Sequence, residues 1–310
     1  MFSILIPSYN NLEYLKICID SIKKNSNFNH QIIIHVNEGT DGTLEYIKEN
    51  NLEFTFSNEN IGMPRALNLA SKKARFNYIV ISHDDFYYCP NWDKILVDEV
   101  SIIGHQHFYL SGTEVGAIKE NILKANSFPP KYNAGLTPDE FNEKKLLDNI
   151  DQIKVHNFQG STKCPGLVHK DIWNKVGGWS EEFSPTGGDD SDFAMKLWNL
   201  NIRIFKGMGS SLVYHFGSVT TRKKNKDLNT YLGSRGNKIF LLKWKIGINF
   251  FEKFYLKAGP EIKKNNLILR YDGPLNEPHK DFWYFILLFK EKVLLIYLKF
   301  SLFIRNEKKK

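Results

Sequence analysis

Tyr78-Ile79-Val80-Ile81-Ser82-His83-Asp84-Asp85 is an apolar run that ends at once in two carboxylates. A short apolar run bounded by polar residues suits a buried strand of a parallel sheet. In open α/β sheets, ligands gather at the carboxyl ends of such strands. Two acids at that spot repel each other unless something positive lies between them, and a divalent cation with its phosphates meets that need. A solvated turn is the plainer account of an isolated Asp-Asp pair, so the neighbouring stretches must decide.

The same design recurs upstream. Ser3–Ile6 is an apolar run stopped by Pro7-Ser8-Tyr9-Asn10-Asn11, a turn signal, and Leu12–Lys24 then carries Leu12, Leu15, Ile19 and Ile22 at helical spacing. Gln31–Val36 is a β-branched strand, Thr43–Glu49 a helix, Phe54–Phe56 a strand and Ala66–Ala74 a third helix. Strand alternating with helix predicts a doubly wound, Rossmann-like α/β sheet, mainly parallel and flanked by helices. Each strand ends in polar groups: Ser8 and Asn10, Asn37 and Glu38, Asn58 and Asn60, Asp84 and Asp85. One such tip is a turn; four on one sheet edge make a site. The first strand is followed by neither GxGxxG nor GxxxxGK[ST], which argues against a dinucleotide fold and a P-loop ATPase.

The chain has 310 residues, 42% of them hydrophobic and 14% aromatic, which is a globular composition with ample core. A net charge of +8 implies attraction to polyanions: nucleic acid, anionic lipid or a phosphorylated small molecule. Cys18, Cys89 and Cys164 are too scattered for a disulfide framework or a zinc site, so a reducing cytosol is expected. Neither a signal peptide nor a transmembrane helix is expected, since no uncharged apolar run reaches roughly eighteen residues.

Between 97 and 154 the sequence is less informative. Gly104–Thr113 and Val115–Ile118 are expected as strands, on the first of which His105 and His107 would alternate; a surface or packed pair outweighs a metal role for them. A second acidic cluster follows: Gly177-Gly178-Trp179-Ser180-Glu181-Glu182-Phe183-Ser184-Pro185-Thr186-Gly187-Gly188-Asp189-Asp190-Ser191-Asp192-Phe193. Its glycines permit tight turns and close approach to a ligand. Trp179 and Phe183 offer flat apolar faces of the kind sugars stack on. The acids open a helix, Ser191–Leu200; a cap needs one acid, and this segment supplies three within four residues. Arg203–Lys206 and Ser211–Tyr214 are expected as strands, ending at His215.

Together these stretches resemble the family 2 glycosyltransferases of the GT-A fold. The likeness rests on Ile6-Pro7-Ser8-Tyr9-Asn10, on Val36–Thr43, on Asn60-Ile61-Gly62, on the acidic strand end and on the glycine-rich second cluster, and it covers about residues 1–220. It implies a nucleotide-sugar donor, with Pro7 and Tyr9 framing the base and Glu38 at the uracil or ribose, so that UDP is favoured. Asn60 and Arg65 belong to the same donor-binding set, although Arg65 lies two positions before the family's usual arginine. Asp85 matches the last acid of an Asp-x-Asp motif for Mn²⁺ or Mg²⁺. His83 stands where the first acid would be, leaving Asp84 as its substitute. Asp190 matches the catalytic base, Asp189 stands in place of the usual Glu and with Trp179 and Phe183 is expected to bind the acceptor, and His215 matches a metal or diphosphate contact. Arg222, at the head of a basic run, would close over the leaving group. The resemblance implies an inverting, metal-dependent transfer to a hydroxyl of a glycan or lipid-linked glycan, in cell-surface polysaccharide, lipopolysaccharide or glycoprotein glycan synthesis.

Residues 1–222 are thus expected as a catalytic domain, with a nucleotide-sugar half (1–100) and an acceptor half (101–222). Residues 223–310 form a basic, aromatic-rich helical extension. In it Phe282–Ile304 reads either as a helix packed on the catalytic domain or as an amphipathic helix on an anionic membrane, placing the chain in the cytoplasm, at the membrane's inner face in the second case. Two rival functions remain: a nucleotide-sugar hydrolase or nucleotidyltransferase on a similar sheet, and a non-catalytic basic protein on membrane or nucleic acid. For nucleic acid the cations should form a stripe with interleaved aromatics; here they are scattered and thickest after residue 220, so no nucleic-acid partner is expected.

Overall fold

The computed structural model describes residues 1–120, 128–217, 226–263 and 266–307. Its first third is the predicted alternation: β1 (Ser3–Tyr9), α1 (Leu12–Asn25), β2 (Gln31–Asn37), α2 (Thr43–Glu49), β3 (Glu53–Ser57), α3 (Met63–Ser71) and β4 (Tyr78–Ile81). These strands pair in parallel in the order β3-β2-β1-β4. Ile4, Leu5, Ile6, Ile79, Val80 and Ile81 are fully buried, as strands covered on both faces must be. The chain winds one way from β1 to β3 and then returns to the other side of β1. That reversal opens a crevice at the carboxyl ends of β1 and β4. Helix α3 starts three residues earlier than expected, because Pro64 falls in its first turn, where a missing N–H costs nothing.

Beyond β4 the sheet becomes mixed. Next come β5 (Phe86–Tyr88), α4 (Trp92–Ile103), β6 (Phe108–Ala117), β7 (Lys131–Tyr132), α5 (Glu143–Leu147), α6 (Ile150–Ile153), β8 (Phe158–Gln159), β9 (Gly166–His169), α7 (Lys170–Lys175), α8 (Asp189–Asn199) and β10 (Ile204–His215). The order continues from β4 through β9, β6 and β10 to β5, with β9 antiparallel to both of its neighbours. The two strands expected on either side of Gly209 are one, β10, whose register against β6 shifts between Gly207 and Leu212. A bulge absorbs the glycines that looked like a break. His105 and His107 are not strand neighbours: they sit in the turn between α4 and β6, where the His107 N–H donates to His105 Nδ1 (3.2 Å).

The C-terminal region contains α9 (Lys226–Trp244), α10 (Ile248–Phe251) and α11 (Phe282–Glu307). Helix α9 rests on the glycine-rich loop before α8 with backbone against backbone. A Cβ on Gly236 would stand 1.9 Å from the Gly187 carbonyl oxygen, so only glycine fits there. Asp192, fully buried in α8, accepts from Trp244 Nε1 (2.8 Å) and pairs with Lys243 Nζ (2.9 Å), tying α9 to α8. Among the described residues, no helix is long and apolar enough to cross a membrane.

Candidate active site

Asp84 and Asp85 are both buried at the end of β4, yet they face different partners. Asp84 Oδ2 accepts from Ser8 Oγ (2.8 Å) across the crevice, so this acid ties β4 to β1. Burial and the adjacent Asp85 charge push its carboxyl up to about 7. Asp85 instead faces His215. The short strand β5 pairs with the end of β10, setting Phe86 opposite His215, and the Phe216 N–H donates to the Asp85 carbonyl (3.2 Å). His215 Nε2 then lies 3.4 Å from Asp85 Oδ2.

The other imidazole nitrogen, Nδ1, lies 3.2 Å from Glu114 Oε2. Parallel β6 places Gly116 opposite His215, and Glu114, two residues back, shares its face. Burial draws the His215 pKa down, but the two carboxylates outweigh it and push the imidazole up to about 10. Nothing in the local pattern singles out Glu114; its only signal is an acid inside the β-prone run Phe108–Ala117.

At the second cluster, α8 starts at Asp189, two residues earlier than expected, so Asp189, Asp190 and Asp192 all lie in its first turn. Carboxylates there are favoured by the helix dipole. Asp189 is buried and accepts from Thr186 Oγ1 (3.1 Å) and the Gly187 N–H (3.2 Å), which fixes the loop. Burial and the Asp190 charge push it up to about 7. Asp190 accepts from the Ser191 N–H (2.8 Å) and forms an ion pair with Lys163. Burial opposes its charge, yet the Lys163 ammonium holds Asp190 below the usual carboxylate range. Lys163, like Glu114, does not stand out in the sequence. It sits in the loop before the Cys164-Pro165 peptide, and only the tertiary fold brings it to Asp190.

His83 lies beside the first of these clusters, its ring 5.8 Å from that of His215. Asp85, His215, Glu114 and Asp190 all act electrostatically on this imidazole, and its burial lowers its pKa. Beside them lies a cavity of about 230 Å³ lined by Glu114, Phe128, Phe158, Lys163 and Glu252. The rings of Phe128 and Phe158 meet edge to face at 4.7 Å, which gives this cavity an apolar wall next to its charged one.

Trp179 and Phe183 do not line the site. They are 2% and 0% exposed and belong to the core, with Trp179 tilted against Phe193 at 6.0 Å. Their neighbouring glycines suggested open platforms, but the 3₁₀ turn Glu181–Phe183 folds both rings inward. Arg65 is at the surface and pairs with Glu181 (3.3 Å). Arg222 lies outside the described residues. At the ends of β2 and β3, Asn37 Oδ1 accepts from the Ile61 N–H (3.0 Å) and Asn60 Oδ1 from the Gly62 N–H (3.0 Å). Asn10 Nδ2 reaches Glu38 Oε2 (3.4 Å), and Glu38 holds a left-handed φ of 63° just before Gly39. Pro7 and Tyr9 are the partly buried end of β1 at the same edge. The loop before α3 and the glycine-rich loop before α8 touch: the Met63 N–H donates to the Pro185 carbonyl (2.9 Å), and a Cβ on Gly62 would come within 2.5 Å of Pro185 Cα.

Among the described residues, no three of His, Cys, Asp or Glu are arranged to enclose a metal ion by themselves. Asp85 and His215 do fit a hard divalent ion that takes its remaining ligands from phosphate oxygens. A carboxylate on the far nitrogen of a ligating histidine, as Glu114 is here, is the usual outer-shell support for such an imidazole.

The architecture has known counterparts. A solved structure of GalNAc-T7 with UDP, GalNAc and Mn²⁺ matches 69% of this chain and 43% of that one, at 16% identity and a TM-score of 0.51, a likeness of fold: a mostly parallel GT-A sheet flanked by helices. The chain is 37% identical over 234 residues to an uncharacterized glycosyltransferase of Rickettsia typhi, covering 74% of this chain and 65% of that protein. It is 24% identical over 245 residues to chondroitin synthase of Escherichia coli, covering 69% and 34%. The chain therefore spans about a third of one curated relative and just under two thirds of the other. The model of Glycosyl transferase family 2 matches residues 3–162, more than half of the chain, from β1 through the acidic end of β4 to the loop that carries Lys163. By that match and the GT-A sheet beneath it, the chain belongs to glycosyl transferase family 2.

Proposed function

We propose that the chain is a metal-dependent, inverting glycosyltransferase that moves a sugar from a nucleotide-sugar, with a UDP-sugar favoured, to a hydroxyl of a glycan or lipid-linked glycan. The observation that supports this most is the meeting of two acidic clusters, far apart in sequence, at one cavity: Glu114, the partner of His215, and Lys163, the partner of Asp190, both line it.

The donor would lie along the ends of β1, β2 and β4, beside Pro7, Tyr9, Glu38 and Asn60. Mn²⁺ or Mg²⁺ would be held by Asp85 and His215, and when bound it would neutralise charge on the departing diphosphate. Asp190 is the base. The acceptor oxygen attacks the anomeric carbon from the face opposite the nucleotide, and its proton passes to the Asp190 carboxylate. The bond from the anomeric carbon to the diphosphate oxygen breaks, and the nucleotide leaves with the electron pair. Lys163 keeps Asp190 ionised in the resting site. In taking the proton, Asp190 must loosen that pair, and the exposed lysine is then available to the leaving phosphates or to the acceptor. The cavity walled by Phe128 and Phe158 gives the acceptor an apolar face, replacing the assignment of that role to Trp179 and Phe183.

The test is nucleotide release from a panel of nucleotide-sugars, with Mn²⁺ and with EDTA, with and without glycan acceptors. Acceptor-stimulated release from a UDP-sugar is expected. Asp190→Asn should lower turnover roughly 10²–10⁴-fold while donor affinity is kept. Wild-type turnover in that variant would remove Asp190 from the role of base, and fast release without acceptor would favour the hydrolase reading.

A further inference from the structure

We propose that α11 is an interfacial anchor: it lies in the plane of an anionic lipid surface, with its outward face in the boundary between headgroups and acyl chains. This goes beyond the transferase reading and does not depend on it. The inward face is accounted for in the first turns of the helix, from Tyr284 to Glu291. Tyr284 is buried against Phe250 and Phe254 (5.1 Å each), Leu287 and Leu288 pack on the core, and Glu291 Oε2 accepts from the Gly247 N–H (2.9 Å). The outward face has no such cover. Phe282, Phe285, Phe289, Ile296, Phe300 and Phe303 are all exposed, Phe289 by 70% and Phe300 by 62%.

At about 100° per residue these six side chains fall within an arc of roughly 60°, and the exposed Ile286, Val293, Tyr297 and Ile304 widen the stripe to about 120°. The stripe runs from Phe282 to Ile304, over about 35 Å of helix, far more apolar surface than a soluble monomer leaves open. Lys290 flanks the stripe on one side, and Lys292 and Lys299 flank it on the other, about 80–100° from its centre. Lysines at that angle lay their methylenes along an apolar surface and lift their ammonium groups to the headgroups. Such a helix lies on a membrane rather than crossing it, and no helix among the described residues is long and apolar enough to cross.

Charge decides the occupant. Glu291, the one carboxylate among the described side chains of the helix, is turned inward to Gly247. Two copies joined stripe to stripe would oppose lysines with no acid among the described side chains facing them, whereas an anionic headgroup layer complements those lysines.

The experiment is flotation of the full chain with vesicles of phosphatidylcholine alone and of phosphatidylcholine mixed with phosphatidylglycerol. The chain should float with the anionic vesicles and far less with the neutral ones. Lys290→Gln combined with Lys292→Gln and Lys299→Gln should lower partitioning onto anionic vesicles roughly 100-fold. Phe289→Glu combined with Phe300→Glu should lower it on both, with the circular dichroism spectrum unchanged because both side chains are exposed. Failure of the wild-type chain to float with anionic vesicles would overturn the proposal, as would undiminished flotation of the Phe289→Glu, Phe300→Glu chain. A lipid-free dimer that those two substitutions dissociate would also overturn it, giving the face to a second copy.

Discussion

His35 carries a pH signal of the fold that is separate from the candidate site. It lies fully buried in β2, with Nδ1 2.8 Å from Thr55 Oγ1 and Nε2 3.1 Å from Ser57 Oγ. Burial pulls its pKa down from the usual 6.5 to about 4. Between those values the unfolded chain binds the proton and the folded chain does not, so this contribution to stability is full above about pH 6.5 and fades as pH falls towards 4. Urea unfolding should show wild type losing about 2 kcal/mol more than His35→Gln between about pH 7.5 and about pH 5. Parallel losses in the two proteins would exclude His35 as the source. The difference between the two is the right quantity, because Asp84 and Asp189, with raised pKa values, push stability in the opposite direction over the same range. The residue scale is also where the sequence was hardest to read. Asp85, Asp190 and His215 stand out through the family resemblance, and their positions at strand ends and a helix start agree with it. Glu114 and Lys163 could not, because what makes them special is an ion pair to a residue far along the chain. Trp179 and Phe183 misled because local pattern carries no information about which way a ring turns.

Helix α9 shows how an element outside the parallel half still bears on the site. Its Gly236 lies against the Gly187 carbonyl, so the loop that presents Asp189 and Asp190 is seated on a helix from the C-terminal extension. Gly236→Ala must separate the two backbones, and about 1–3 kcal/mol of stability should be lost, measured by thermal unfolding. An unchanged melting temperature would mean the loop moves aside freely, contrary to the capping bonds of Asp189. At this scale the sequence served well wherever one period ran undisturbed. α1, β2 and α2 fall within a residue of their expected bounds, and β1 starts as expected and runs three residues further, to Tyr9. It served poorly where glycines interrupted a run, as in β10, since a bulge and a strand end leave the same local trace.

Across the whole molecule, the sheet divides the proposed chemistry into two parts. The parallel half ends in the donor crevice, and the mixed half carries Glu114, Lys163, Asp190 and His215. Asp85 sits at the seam. Calorimetry with a UDP-sugar and Mn²⁺ should find that Asp85→Ala abolishes the metal-dependent part of binding. Glu114→Gln should weaken it roughly 10–100-fold, as loss of an outer-shell partner does, while Asp190→Asn leaves it intact. Equal affinity in all four proteins would detach the metal from this seam.

The contact between Gly62 and Pro185 has a practical meaning for protein engineering. The Met63 N–H bond to the Pro185 carbonyl and the absent Cβ at Gly62 make the two loops a matched pair, keyed to each other by shape and by one hydrogen bond. A chimera that exchanged the first hundred residues for those of a relative would separate lock from key. Graftable donor specificity therefore means transplanting residues on both sides of the join, with the segment around Pro185 carried along with its mate.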